Sequence, residues 1–112
     1  MTADQTTSQQ ARIQRQDTRS YGVQGAMTFD SVTGLWREGV EMFSGESVFQ
    51  IDLAAVTHTD SAGLALLVEW LREATQRGAR IEFLNIPDQM LALAGAANLE
   101  QVLTGIRTAE KS

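Results

Sequence analysis

The 112 residues contain no cysteine, which removes disulfides, thiolate metal ligands and thiol nucleophiles from consideration. Histidine occurs once, at His58, too few for a multi-histidine metal site within one chain. Basic charge is scarce: nine Lys and Arg face 14 Asp and Glu, a net of -5, which argues against a nucleic-acid partner. No stretch approaches the roughly 20 apolar residues of a membrane helix, so no direct membrane insertion is expected. The first 20 residues lack the apolar core of a signal peptide, so the expected compartment is the cytoplasm. No Gly-Lys-Ser phosphate loop is present, and no cofactor is expected. What remains, 43% hydrophobic and 21% charged, suits one globular domain with a modest core.

Residues 52–63 organise the chain. Residues 48–53 are apolar and β-rich, with Phe49, Ile51 and Leu53 on one face. Leu64, Leu67, Val68, Leu71 and Ala74 then recur at helical spacing. The turn between them carries Asp60, Ser61 and Gly63, with Ser61 where an N-cap belongs. A strand end meeting a helix start points backbone N–H groups outward, which is where α/β proteins place function.

Around this centre, residues 1–20 read as a disordered polar tail, since Gln, Thr and Ser dominate and few side chains could bury. A docking role on a partner is the alternative for that tail. Residues 21–29 suggest an interrupted strand or two short ones built on Val23, Met27 and Phe29, with Gly25 at a bulge or turn. Asp30 and Ser31 are candidate N-caps for a helix carrying Val32, Leu35, Trp36, Gly39, Met42 and Phe43 on its apolar face. Trp36 lies in phase with that stripe and reads as core. The central helix spans about 62–77 and closes at Gly78. A strand over 79–85 follows, then a helix opened by Pro87 and ended near Asn98. Leu99, Val102, Leu103 and Ile106 suggest a last helical turn or strand, and residues 108–112 should fray. The order β, β, α, β, α, β, α implies an α/β fold, a mixed sheet covered by helices.

A Ser-His-Asp triad from Ser61, His58 and Asp60 is set aside. The three crowd one short turn, without an oxyanion-hole motif or a nucleophile elbow. No enzyme activity is expected. Asp52 reads as a cap or turn acceptor. Ser61 keeps three readings: a structural cap, a phosphoacceptor at a helix N-terminus, and a small contact residue. Gly63 suits either close backbone approach or helix–sheet packing.

With Leu64, Leu67, Val68 and Leu71 facing the sheet, Ala62, Leu66, Glu69, Trp70 and Glu73 fall on the opposite side. A Trp70–Leu66 patch rimmed by acids reads as a protein-binding surface. The alternative is that Trp70 packs under a neighbouring element. Asp60, Ser61, Ala62, Leu66 and Trp70 are the candidate partner-binding residues.

The residues Ile51-Asp52-Leu53, then Asp60-Ser61-Ala62-Gly63-Leu64 opening a helix, resemble the STAS domain of anti-sigma-factor antagonists and anion transporters. Gly25, Thr28-Phe29, Leu35-Trp36, residues 63–67, Leu93-Ala94 and Asn98-Leu99 extend the likeness to the MlaB-type STAS subunits of Mla phospholipid-transport ABC systems. The likeness covers about 21–103. Ser61 departs from the Thr often found there in these subunits, and Ser is the phosphoacceptor type of the sigma-factor branch. The resemblance implies a STAS-like fold over 21–107, with about four strands and three to four helices. It implies a non-catalytic subunit that binds the ATPase of the transporter and is held peripherally at the inner membrane. The alternative it implies is an anti-sigma-factor antagonist with a kinase partner, switched by phosphorylation of Ser61. It favours contact plus capping for Ser61.

Overall fold

The computed structural model describes residues 11–43, 45 and 47–103. Two strands open it: β1 (Arg12–Asp17) and β2 (Ser20–Met27) pair antiparallel as a hairpin. Its turn is closed locally, Thr18 N donating to Asp17 Oδ1 at 2.7 Å and Arg15 Nη2 to the Thr18 carbonyl at 2.7 Å. Helix α1 (Val32–Met42) then carries the chain back, so that β3 (Val48–Thr59) lies parallel to β2. Helix α2 (Ser61–Gln76) repeats the crossover and places β4 (Arg80–Leu84) parallel to β3. Helix α3 (Asp88–Ala96) follows, and residues 100–103 form a further helical turn. The sheet order is β1-β2-β3-β4. This is the α/β mixed sheet that the element order implies.

Alternation decides which face is covered. Ile13, Tyr21, Val23, Phe49, Ile51, Leu53, Ile81 and Phe83 are buried, whereas Arg12, Gln14, Gln24, Arg80 and Glu82 between them are exposed. The helices therefore cover one face and leave a polar one, where Gln50 Nε2 donates to Glu82 Oε1 at 3.0 Å. At the centre of the covered face Phe43 stacks tilted on Phe49 at 4.5 Å between centroids. Tyr21 and Trp70 meet Phe43 edge-on at 5.3 and 5.5 Å. The Tyr21 hydroxyl donates to the Met42 carbonyl at 2.9 Å, which satisfies a buried polar group.

Several expectations change here. Part of the polar tail is strand: residues 12–17 are β1, and Ile13 is buried. One alternating apolar side chain suffices for an edge strand whose backbone is paired by its hairpin partner, and apolar counting does not register that. The domain therefore starts before residue 21. Residues 1–10 and 108–112 lie outside the described residues. Residues 20–27 form one strand, with a register shift after Gly25 at φ 93°, the expected bulge. Phe29 lies outside it. Strand β3 does not turn after Leu53 but runs to Thr59, because β2 continues to pair with Ala55, Val56, His58 and Thr59 after β4 has ended. Asp52, expected at a cap or turn, lies inside the strand instead, where its Oδ1 accepts from Ala54 N at 2.9 Å and from Asn85 Nδ2 at 3.0 Å.

The largest correction concerns α2. Trp70 and Leu66 are buried, at 0% and 4% exposure, so neither belongs to an exposed ridge. Val68 and Leu71 are only half-buried, and Ala65, Glu69 and Arg72 face solvent. The helix is rotated by less than one residue's step from the expected phase. The cause is α1: a Cβ at Gly39 would stand 2.7 Å from three atoms of the Trp70 indole, so the missing side chain makes the seat for the ring. The indole Nε1–H is buried there and has no hydrogen-bond partner among the described residues.

Candidate functional site

The site lies where three connections converge: the β2–α1 loop, the β3–α2 junction and the start of α3. A single residue separates β3 from α2, and Asp60 is that residue, extended at φ -127°, ψ -169°. Asp60, not Ser61, is the N-cap. Pairing of β3 with β2 ends at Thr59, so the residue that follows it, Asp60, takes the cap position one residue before the expected Ser61. Asp60 Oδ1 accepts from Ala62 N at 2.9 Å and from Gly63 N at 3.3 Å, two of the orphan donors of the first turn. Its Oδ2 accepts from Phe29 N at 3.2 Å, tying the β2–α1 loop to the start of α2. A serine hydroxyl, with one oxygen, could not reach both ways.

Beneath the cap the backbones are close. Thr59, almost wholly buried, donates its hydroxyl to the Met27 carbonyl at 3.1 Å, and Asp60 N reaches the same oxygen at 3.3 Å. A Cβ at Gly63 would overlap Thr59 Oγ1 and stand 2.5 Å from the Met27 carbonyl. Helix–sheet packing is thus what requires glycine at this position. From α3, Gln89 Oε1 accepts from Thr59 N at 3.2 Å. The β2–α1 loop is folded by Ser31, whose Oγ accepts from Thr28 N at 3.0 Å and donates to the Ala26 carbonyl at 2.8 Å. Ser31 occupies the cap position of α1 without capping it, since its hydroxyl is used in this turn.

Partial burial opposes the charge on Asp60. The N–H groups of Phe29, Gly63 and Ala62, with some help from nearby His58, outweigh it and hold the carboxyl below its ordinary value. Ser61 is exposed at the first helical position, and its hydroxyl makes no hydrogen bond among the described residues. Ala62 beside it is half-buried. No hydrogen bond joins Ser61, His58 and Asp60, and both Asp60 oxygens are committed to backbone N–H groups. The turn therefore presents the Ser61 hydroxyl to solvent, and neither Asp60 oxygen is turned toward it. Among the described residues no cluster of three His, Asp or Glu side chains could hold a metal ion, and no helix is long and apolar enough to cross a membrane.

Asp60, Ser61 and Ala62 thus come together at one tip, while Leu66 and Trp70 lie inside. Phe29 joins the tip instead. It is 80% exposed and one backbone hydrogen bond from Asp60. The cap signal at Asp30-Ser31 was the available clue, since a helix starting there ends the strand at Met27.

Over residues 14–105 the chain matches the family model described as the MlaB STAS domain. Among solved structures it is similar to the murine Solute Carrier 26 family member A9 anion transporter in the inward-facing state. That match has TM-score 0.60 and 14% identity over 73% of this chain, and spans 14% of the transporter. It is also similar to the anti-sigma factor antagonist SpoIIAA in its unphosphorylated form, with TM-score 0.58 and 16% identity over 74% of this chain and 79% of that one. A structure described as Mglu matches at TM-score 0.54 and 22% identity, over 69% of this chain and 19% of that one. These likenesses show the fold. No curated protein sequence matches.

Proposed function

The chain belongs to the STAS domain family, and from that premise we propose that it is a non-catalytic subunit binding the ATPase of an ABC phospholipid transporter that maintains outer-membrane lipid asymmetry. The match to the MlaB STAS domain across 14–105 is the observation that carries this reading. The tip made by Asp60, Ser61 and Ala62 is the surface that would meet the ATPase. Ser61 is exposed at its apex between the half-buried Asp60 and Ala62, its backbone is tied to two other connections, and the Ser61 hydroxyl makes no hydrogen bond among the described residues. Such a preformed surface loses little freedom on docking. The subunit would lie on the cytoplasmic side of the inner membrane, held there by its partner.

The test is titration of the purified chain against the cognate ATPase subunit, with Ser61→Glu beside the wild type. The helix N-terminus tolerates an added negative charge, so the variant should stay folded. Its bulk and charge should weaken a close-fitting contact at least tenfold. Absence of wild-type binding would remove the ATPase from consideration.

The unengaged hydroxyl of Ser61 favours a second reading, an anti-sigma-factor antagonist switched by phosphorylation at that residue and partnered by a kinase. Mass spectrometry of the chain isolated from its own cells decides this. Phosphate on Ser61 supports the switch, and a uniformly unmodified Ser61 across growth conditions sets it aside.

A further inference from the structure

Among the described residues, the fold uses Phe29 only through its backbone. Its N–H reaches Asp60 Oδ2, a role open to any residue except proline, while its ring takes part in none of the core's aromatic contacts. Single exposed apolar side chains are common on protein surfaces. Three features set this one apart. The ring is 80% exposed, more than any other large apolar side chain described. The loop beneath it is held at both ends, by Asp60 and by the Ser31 hydroxyl, so the ring is offered from a fixed backbone. It also shares with Ser61 the neighbourhood of Asp60, so one footprint covers both.

We infer that Phe29 is the aromatic anchor of the tip, entering an apolar pocket on the ATPase subunit that is edged by Lys or Arg. The inference rests on the ATPase reading above and names the chemistry of that contact. Asp30, next in the chain, is exposed, and Asp60 is held ionised, so the ring stands on an acidic base in a chain of net charge -5. A basic rim on the partner complements that field and steers the encounter. Aromatic anchors seated in pockets dominate interfaces of this kind, and a fixed loop limits the entropy lost on seating.

The experiment compares the full chain with Phe29→Ala, Phe29→Tyr, Asp30→Lys and Ser61→Glu, each melted first and then titrated with the cognate ATPase subunit. Phe29→Ala should melt like the wild type and bind at least tenfold more weakly. Phe29→Tyr should restore most of the affinity, and Asp30→Lys should slow association and flatten its salt dependence. If Ser61→Glu abolishes binding while Phe29→Ala binds normally, the ATPase reading stands and the anchor is overturned. If the wild type does not bind the ATPase, both fall. Unfolding of Phe29→Ala would make the ring a structural element and overturn the anchor. Phe29-dependent binding to phosphatidylcholine vesicles instead of the ATPase would do the same.

Discussion

Trp70 and Phe29 occupy opposite environments, one inside the core and one on the surface. Trp70, in the body of α2, has no exposed surface; Phe29, at the tip where α2 begins, has almost nothing else. Their own chemistry would allow either fate. The surroundings separate them: Gly39 leaves room for the indole, and the Ser31 turn lifts Phe29 off the end of β2. The Trp70 ring therefore belongs to the packing of the fold, and the Phe29 ring does not.

Trp70→Ala gives the largest effect expected from that contrast. Emptying the seat against Gly39 and Phe43 should cost about 3–5 kcal/mol in denaturant unfolding. A loss below about 1 kcal/mol would mean that the ring is not a core element and would erase the distinction. Deletion of residues 1–19 should also cost more than about 2 kcal/mol, since it removes β1 and the buried Ile13. An unchanged melt would show that β1 contributes nothing to the sheet.

Gly63→Val probes the boundary between the two regions. The new side chain would collide with the Met27 carbonyl and Thr59, and backbone cannot give way cheaply, so about 1–3 kcal/mol should be lost. Asp60 sharpens the boundary by pH. Its folded carboxyl titrates below its ordinary value, so the unfolded chain binds the proton more readily. The stability it supplies is complete above the unfolded value near pH 4 and drains as pH falls through the lowered folded one. Asp60→Asn should therefore flatten the acid limb of a stability–pH curve, and a limb identical to the wild type's would show that the cap is not coupled to folding. Smallest of all, Phe29→Ala should change stability by no more than about 0.5 kcal/mol in the same unfolding experiment.

Much of this was legible in the residues. The alternation of Phe49, Ile51 and Leu53 predicts β3, and Gly78 at φ 76° ends α2 at the expected position. Asn98 at φ 60° likewise follows the end of α3. The tip of the candidate site, Asp60-Ser61-Ala62, was legible because a short strand-to-helix junction leaves few places for a cap. The cap itself was displaced by one residue, since Asp60 has two carboxylate oxygens and reaches both the first turn of α2 and the distant Phe29 N, a partner that local capping chemistry does not register.

The sequence by itself determined the alternation of strands and helices from β2 onward and the position of the turn, because each follows from local periodicity and capping chemistry. Only the tertiary structure decided which side of α2 is inward. Apolar residues occupy most of its circumference, so local pattern left its rotation open. That rotation was settled when Gly39 of another helix met Trp70. It also decided that residues 12–17 are a strand and that Phe29 stands outside, since both depend on partners distant in the chain: β2 for the first, Asp60 for the second.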